Sequence, residues 1–370
     1  MGYPEFDRRL LRIRPLGDRI NRTRIEQSHV TPEAPPRPQP PEVERVIAET
    51  IERITHARHE GRPVVLAFGA HTIKNGLAPV LIRLIEQGWV TQLATNGAGI
   101  IHDWEFAFQG ASAEHVAENV SRGQFGLWQE TGFFINLALI VGAFEGLGYG
   151  ESVGALIERD GLQLPAPDEL RELVRTEGGG DLSRAAAAAD LLQAIREFGL
   201  EPGWMKVPHP YQAFSVQAAS YRQRIPLTGH PMFGHDIIYT HPMSHGAAIG
   251  RAAQRDFLIF ARAVSQLEGG VYLSVGSAVM SPMVFEKALS MAQNVSLQRG
   301  APISRHFMVI VDLARSGWDW LKDGEPPQDH PAYYLRFCKT FSRMGGTMRY
   351  VSADNRDFLL ALCQGLGEAR

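Results

Sequence analysis

Helical and extended patterns of apolar residues alternate along most of the chain. Apolar residues recur at helical spacing in residues 43–54, with Glu and Arg between them, which predicts an amphipathic helix. PVVLAFGAH (63–71) is a short apolar run closed by glycine, and it predicts a strand buried on both faces. LAPVLIRLIEQG (77–88) predicts a second helix and VTQLAT (90–95) a second strand. Because strand, helix and strand follow one another, we predict a parallel sheet.

Four later apolar runs extend this predicted sheet to at least six strands. They are RIPLTG (224–229), GGVYLSVGSAV (269–279), HFMVIVDLA (306–314) and TMRYVSAD (347–354), and a helical stretch or a turn-rich loop separates each from the next. Residues 112–204 have a mainly helical pattern and predict a helical insertion. The predicted fold class is therefore α/β, with a doubly wound, mostly parallel sheet.

The first 41 residues have no such pattern. They are rich in charge and end in TPEAPPRPQPP (31–41), whose prolines favour an extended, semi-rigid strap. We predict an N-terminal arm and proline-rich linker over residues 1–41 and one domain over residues 42–370. Because the arm has no apolar core of its own, we expect it to pack on a neighbouring subunit.

Composition narrows the partners and the compartment. The chain has 370 residues, with 37 Lys and Arg against 40 Asp and Glu, so its formal net charge is −3 and a nucleic-acid partner is not expected. Its uncharged apolar stretches fall short of the roughly 20 residues that a membrane helix needs, and the N-terminus carries charges where a secretion signal is apolar. We therefore expect a cytoplasmic protein without a membrane segment. Two cysteines are too few for a disulfide framework.

Candidate ligand-binding residues follow the predicted strands. In a doubly wound sheet, ligands bind where strands end, because loops and helix N-termini converge there with unpaired N–H groups. Glycine turns allow the backbone to approach a pyrophosphate, and carboxylates can accept hydrogen bonds from ribose hydroxyls. Together the strand ends predict a dinucleotide site, although each feature alone also fits an ordinary turn. The candidates are His71, Thr95, Asn96, Gly97, Gly276, Ser277, Asp312 and Asp354.

A histidine-rich segment, TGHPMFGHDIIYTHPMSH (228–245), has three interpretations. A metal site, and with it a metal-dependent hydrolase using the His230–His245 loop, is one alternative. Pro242 and Gly246 interrupt any helical face there, and the glutamate of HExxH sites is absent. Neutral imidazoles can instead bind a polar substrate, and a structural role for most of the histidines is also open.

Taken in order, these segments resemble the deoxyhypusine synthase family. Residues 70–108, from AHTIKNG to WEFAF, resemble the first half of that fold, in which a threonine-and-glycine turn contacts NAD. GHDIIYTHP (234–242) resembles its Gly-Asp strand and VYLSVGSAV (271–279) its glycine-rich strand end. FMVIVDLA (307–314) and RYVSADNRDFLLAL (349–362) resemble two later strand ends. The resemblance covers about residues 60–366.

The resemblance implies a Rossmann-like NAD-binding domain and a homotetramer with sites at subunit interfaces. The members of the family are transferases that act on a polyamine. In them, NAD takes a hydride from the polyamine, and an enzyme lysine captures the aminobutyl group as an imine. By position, Asp236 would face a substrate amine, with His235 beside it. The residues that would line the cofactor are Thr95, Gly97, Asp312, Leu313, Ala314 and Asp354.

Two departures from the family change the expected activity. Met280-Ser281-Pro282 stands where the family has its catalytic histidine, and the Ser-Trp-Gly-Lys motif is absent. Lys339, with Arg336 and Arg343 nearby, is the lysine in the corresponding window and our candidate for the covalent residue. We predict an NAD-dependent, transferase- or lyase-like enzyme that oxidises an amine or amino-acid-type substrate transiently to an imine. The alternative is a non-catalytic, NAD-binding regulatory protein that has lost the nucleophile.

Overall fold

The computed structural model of the protein describes residues 2–177, 180–320 and 322–369, apart from the side chains of Glu177 and Arg336. The strands are β1 (Thr23–Arg24), β2 (Val64–Phe68), β3 (Gln92–Asn96), β4 (Ala111–Ser112), β5 (Gly161–Leu164), β6 (Gly203–Lys206), β7 (Leu227–His230), β8 (Val271–Val275), β9 (Phe307–Asp312) and β10 (Thr347–Ser352). The helices of the first half are α1 (Ile25–Ser28), α2 (Pro41–His59), α3 (Ala70–Lys74), α4 (Ala78–Glu86), α5 (Gly97–Gln109), α6 (Val116–Ser121), α7 (Gln129–Glu145) and α8 (Tyr149–Arg159). Those of the second half are α9 (Pro167–Glu177), α10 (Leu182–Phe198), α11 (Val216–Gln223), α12 (Gly246–Val264), α13 (Met280–Gln298), α14 (Arg336–Ser342) and α15 (Asn355–Glu368). Short 3-10 helices lie at Arg8–Leu10, Leu16–Asp18, Gln212–Phe214, Ile237–Thr240 and Pro331–Tyr334.

The central sheet has six strands in the order β10-β9-β8-β2-β3-β7, and every neighbouring pair is parallel. When these strands are numbered along the chain from the β7 edge, the order is 3-2-1-4-5-6, which is that of a doubly wound dinucleotide-binding sheet. The predicted α/β class is confirmed. The direction of winding reverses between β2 and β8, so the crevice between the helices on the two faces opens beside these two strands.

Both faces of the sheet are covered, which explains why its strands are apolar without alternation. Val64, Leu66 and Phe68 of β2 pack into one core, formed with α2, α4, α5 and α15. Val65 and Ala67, which point the other way, pack into a second core with α12, α13 and α14. Burial on both faces fixes the register of β2, because a slip by one residue would exchange its two apolar sets between cores of different shape.

The N-terminal arm makes several contacts with its own chain, and a contact with a neighbouring subunit stays a prediction. The Arg8 guanidinium donates to the carbonyl oxygens of Tyr239, His241 and Ser244. Strand β1 pairs antiparallel with β4, and the buried Arg19 guanidinium bonds Glu105 of α5 at 2.7 Å. These polar contacts join residues that are far apart in the sequence, and they attach the arm to the domain although the arm has no periodic apolar face. A search for periodic apolar residues therefore could not have found them.

The stretch of chain that connects β3 to β7 contains α5, the short β4, helices α6 to α11 and the antiparallel pair β5–β6. Within the described ranges, no single helix is long and apolar enough to cross a bilayer, and α7 and α8 meet that test only as a pair bent by 108°. GHDIIYTHP, matched to a strand by resemblance, contains instead the 3-10 helix Ile237–Thr240. His71 also lies within α3 rather than at the end of β2.

Candidate functional site

The turns after β2 and β8 touch each other at the point where the winding reverses. The N–H of Gly69 donates to the carbonyl of Val275 at 3.1 Å. A methyl group at Gly69 would lie 2.0 Å from the Gly276 carbonyl oxygen, so the backbones approach as closely as glycine allows. Gly276 also has a φ of +59°, which favours glycine. The predicted glycine turn after β8 therefore belongs to the ligand-binding edge of the sheet.

The predicted residues after β3 shape the start of α5. The Thr95 hydroxyl donates to the Phe68 carbonyl at 2.9 Å and so links the end of β3 to β2. Asn96 caps α5 by accepting from the Gly99 N–H at 2.9 Å. Gly97 is the first residue of α5, and its N–H is available to a ligand at this edge because the first N–H groups of a helix have no acceptor within the helix.

The predicted carboxylates lie at adjacent strand ends. Asp312 ends β9, and its Oδ1 accepts from the Ala314 N–H at 2.9 Å, while Leu313 is 73% exposed. Asp354 caps α15 after β10 and pairs with Arg37 of the linker at 2.8 Å. Asp354 is therefore already occupied twice.

Ser277, next to Gly276, is also partly occupied, because its hydroxyl accepts from the Ser281 N–H at 3.2 Å. Of the predicted cofactor carboxylates, Asp312 thus carries fewer described contacts than Asp354, which binds both a helix terminus and an arginine.

A cavity of about 220 Å³ opens beside the start of α5, at the same edge of the sheet. It brings together His235 and Asp236, two of the three predicted catalytic residues, with side chains that sequence reasoning did not assign to the site. Its charged and titratable lining is Arg19, Lys74, His102, Glu105, Glu114, His235 and Asp236.

A second cavity of about 570 Å³ lies at the opposite edge of the sheet. Arg62, Thr91 and Pro226, which precede β2, β3 and β7, are among its lining residues. Ligands of doubly wound sheets bind at the carboxyl ends of the strands. The smaller cavity is therefore the candidate site.

The Asp236 carboxylate lies directly against Gly97. A methyl group at Gly97 would come 2.1 Å from Asp236 Oδ2, so glycine is what admits the carboxylate to the start of α5. Oδ2 is buried and has no hydrogen-bond partner among the described residues. Burial raises the pKa of Asp236 to about 6, against the opposing charge of His235. A buried acceptor of this kind is a binding point for an N–H donor of a ligand.

Two tyrosines lie within electrostatic range of Asp236. The Tyr149 ring packs against Gly229 at the end of β7, where a methyl group would approach Cδ1 to 2.5 Å. The hydroxyls of Tyr149 and Tyr239 are buried without a described hydrogen-bond partner. Burial, reinforced by the negative charge of Asp236, raises the pKa of both phenols above the ordinary value. Both phenols stay protonated at neutral pH, and neither tyrosine lies in a motif that sequence reasoning could recognise.

His102 of α5 belongs to a buried hydrogen-bonded chain that the sequence analysis missed. Its Nδ1 lies 2.7 Å from Ser112 Oγ, and Ser112 in turn donates to Glu105 at 2.6 Å. Both oxygens of Glu105 also accept from Arg19, and Thr131 donates to one of them at 3.0 Å. The available signal was the spacing of His102 and Glu105, which are three residues apart on the helix that follows the glycine turn.

The remaining histidines of the 228–245 loop serve separate local contacts. His230 packs edge-on to Phe260, and burial lowers its pKa to about 4. Nδ1 of His241 accepts from the Met243 N–H at 3.0 Å, and His245 caps α12. In the part of the chain that the structure describes, no three His, Cys, Asp or Glu side chains are grouped so as to hold a metal ion.

Lys339 lies on α14, which packs on the opposite face of the sheet from α5. Its Nζ lies 3.4 Å from the centroid of the Tyr333 ring. Arg343 forms an ion pair with Glu325, and the Arg336 side chain lies outside the described residues. Among the described contacts none joins Lys339 to Asp236, whereas Lys74 lines the cavity.

The fold resembles solved structures at low sequence identity. Unliganded AgrE has a TM-score of 0.45 and 17% identity over 90% of this chain and 34% of AgrE. The ternary complex of AgrE with ornithine and NAD+ has a TM-score of 0.44 and 16% identity over 90% and 34%. A conserved putative LOR/SDH protein from Methanococcus maripaludis S2 has a TM-score of 0.45 and 14% identity over 92% and 74%.

The chain thus spans about a third of the length of AgrE. No protein-family model matches the sequence, and no curated protein matches it. A deoxyhypusine synthase is not among the structures named here, so that resemblance rests on the sequence segments alone.

Proposed function

We propose that the protein is an NAD-dependent enzyme that oxidises an amine or amino-acid-type substrate to an imine. The observation that carries this proposal is Asp236, whose unpartnered Oδ2 is buried against Gly97 at the carboxyl edge of a doubly wound sheet. The carboxylate offers a counter-charge and an acceptor to a substrate ammonium group. The glycine turns beside it suit the close approach of a dinucleotide.

The residues present fit a dinucleotide along this edge. Gly97, Gly276 and Ser277 would admit the pyrophosphate to backbone N–H groups, with Thr95, Asn96 and His71 around them. Asp312 would accept a hydrogen bond from a ribose hydroxyl, and Leu313 and Ala314, which follow it, would lie beside the ribose. Asp354 would do so only by giving up its contact with Arg37.

The chemistry balances as one proton and one hydride. The substrate ammonium first loses a proton to an acceptor in the cavity, because the nitrogen lone pair must be available when the C–H bond breaks. When bound, NAD+ supplies the acceptor for the hydride, which leaves with both electrons of that bond and yields NADH and an iminium ion. Asp236 would hold the nitrogen while the hydride leaves.

NAD binding tests the proposal through thermal stability. A ligand at about 100 times its Kd stabilises the folded state by roughly 2.7 kcal/mol, so millimolar NAD+ should raise the melting temperature of nucleotide-free protein. Asp312→Ala should abolish the shift, whereas Asp168→Ala, which removes an exposed carboxylate on α9, should leave it intact. Absence of any shift in the wild type would remove the cofactor from the proposal.

We further propose Lys339 as the lysine that captures the imine, on the strength of its place in the sequence resemblance. Its neutral amine would attack the imine carbon and expel the original nitrogen as an amine, leaving a lysine imine. Borohydride reduction with NAD+ and an amine substrate should then place an adduct on Lys339 and none on Lys322. An adduct on Lys74 would move the covalent role to the cavity. NAD binding without turnover of any amine would favour the non-catalytic alternative.

A further inference from the structure

The ionisation state of Glu105 sets the direction of the hydrogen bonds that link Glu105, Ser112 and His102. Burial raises the pKa of Glu105, but the charge and hydrogen bonds of Arg19 outweigh it and hold the pKa below its usual value. Glu105 is therefore an ionised carboxylate, which accepts hydrogen bonds and donates none. The Ser112 hydroxyl, 2.6 Å away, must direct its single proton to Glu105.

His102 must then present a proton to Ser112. With its own proton directed to Glu105, the Ser112 oxygen is an acceptor toward His102 Nδ1 at 2.7 Å, so Nδ1 carries the ring hydrogen. Burial lowers the pKa of His102 to about 4, with Glu105 opposing and Lys74 reinforcing the shift, so the ring is neutral at pH 7. A neutral ring with a proton on Nδ1 has its lone pair on Nε2.

This lone pair belongs to the cavity that holds Asp236. His102 lines that cavity, and Nδ1 is turned away from it onto the buried Ser112. Nε2, on the other side of the ring, has no described hydrogen-bond partner and is not among the fully buried polar atoms that lack one, so it is not completely enclosed.

We propose that Glu105 and Ser112 position His102 so that its Nε2 accepts a hydrogen bond from an N–H group of the ligand that Asp236 binds. The inference rests on the amine substrate proposed above and not on the cofactor. A primary ammonium group carries three N–H donors, and the cavity thus offers it two acceptors of different kinds, a carboxylate and an imidazole. His102 binds the ligand, whereas Glu105 and Ser112 are positioning residues.

Nitrogen NMR of the histidine rings tests the positioning step without any ligand. The wild type should show His102 protonated on Nδ1 and not on Nε2, with the signal assigned by its loss in His102→Gln. Ser112→Ala removes the acceptor and should allow the proton to move to Nε2. Thr131→Val is the matched control, because it removes a different hydroxyl from the same carboxylate, at 3.0 Å from Oε1, and should leave the tautomer unchanged. A wild-type ring protonated on Nε2 would overturn the proposal.

Calorimetry without NAD tests the binding step, with L-ornithine and 1,4-diaminobutane as amine probes. His102→Gln and Ser112→Ala should weaken binding about tenfold, as expected for one lost hydrogen bond, and Thr131→Val less than twofold. Equal affinity of Ser112→Ala and wild type, or binding of neither probe by the wild type, would overturn the proposed role of His102. Loss of NAD binding with amine binding intact would instead contradict the proposed oxidation and leave this inference standing.

Discussion

The half-buried Asp236 combines an enclosed, unsatisfied Oδ2 with a raised pKa. Such a combination costs folding free energy, because an ionised carboxylate has lost hydration without gaining donors in return. Gly97 makes room for this carboxylate because it has no side chain. A ligand ammonium group would supply the missing hydrogen-bond donor, so binding would offset this cost.

Asp236→Asn should therefore stabilise the folded protein near neutral pH. The pKa of Asp236 is about 6 when folded against 3.8 as the ordinary value, so the folded state binds this proton more tightly. The contribution of a protonated Asp236 is complete below about pH 4 and is lost as pH rises through 6. The asparagine variant should thus gain on the order of 2–3 kcal/mol at pH 7 and well under 1 kcal/mol at pH 4.

Urea denaturation of both proteins from pH 4 to pH 8 measures this difference. A less stable asparagine variant at pH 7 would mean that a donor satisfies Asp236 in solution. The same variant should bind amine probes more weakly, because it has lost the negative charge.

At the scale of elements, the contact between the turns after β2 and β8 holds the reversal of winding together. Gly69 has an extended backbone with φ −84° and ψ 163°, which any residue can adopt, so its need for glycine is purely steric. The obstacle is the Gly276 carbonyl oxygen, a backbone atom that cannot rotate away as a side chain can.

Gly69→Ala should destabilise the protein by about 1–3 kcal/mol through overpacking and should weaken NAD binding by separating the two turns. Gly250→Ala is the control, because Gly250 lies within α12 with no atom within 4 Å of an added methyl group. That substitution should stabilise by about 0.5–1 kcal/mol. Equal melting temperatures for the two variants would show that the turns separate easily.

At the scale of the whole molecule, the N-terminal arm contributes Arg19 to the candidate site of its own chain. Arg19 supplies the charge that keeps Glu105 ionised, and β1 pairs with β4, which carries Ser112. The arm thereby links its own folding to the state of His102. Helix α13 exposes Met283, Met291 and Val295 along its length, an apolar surface that could contact another subunit.

We expect the protein to form a homotetramer at micromolar concentration, with the exposed apolar side chains of α13 in an interface. Light scattering should give a mass close to four chains for the wild type. Val295→Glu should lower that mass, because it places a charge in the apolar contact. Leu182→Glu, at an exposed apolar position on α10, should not. A monomeric wild type would contradict both the assembly and the role of α13.

The sequence by itself determined the sheet. Runs such as VVLAF are apolar at every position, which indicates strands covered on both faces, and their alternation with helical segments predicted a parallel, doubly wound architecture. Gly97 and Gly276 were found for a similar reason, because turns directly after apolar strands are visible as breaks in the pattern, whereas Asp236 was assigned through the family resemblance. The predicted strand at 234–242 was wrong because its apolar residues Ile237 and Ile238 pack as a 3-10 helix beside α7.

Only the tertiary structure decided which side chains share a cavity. Arg19 and Glu105 are 86 residues apart and meet because a segment without periodicity crosses α5, which no local pattern encodes. The tautomer of His102 depends on the ionisation of Glu105 and on one serine proton, both of which follow from burial in three dimensions. Lys339 was selected by its position along the chain, whereas contact with Asp236 depends on which face of the sheet a helix covers, and that is a property of the fold.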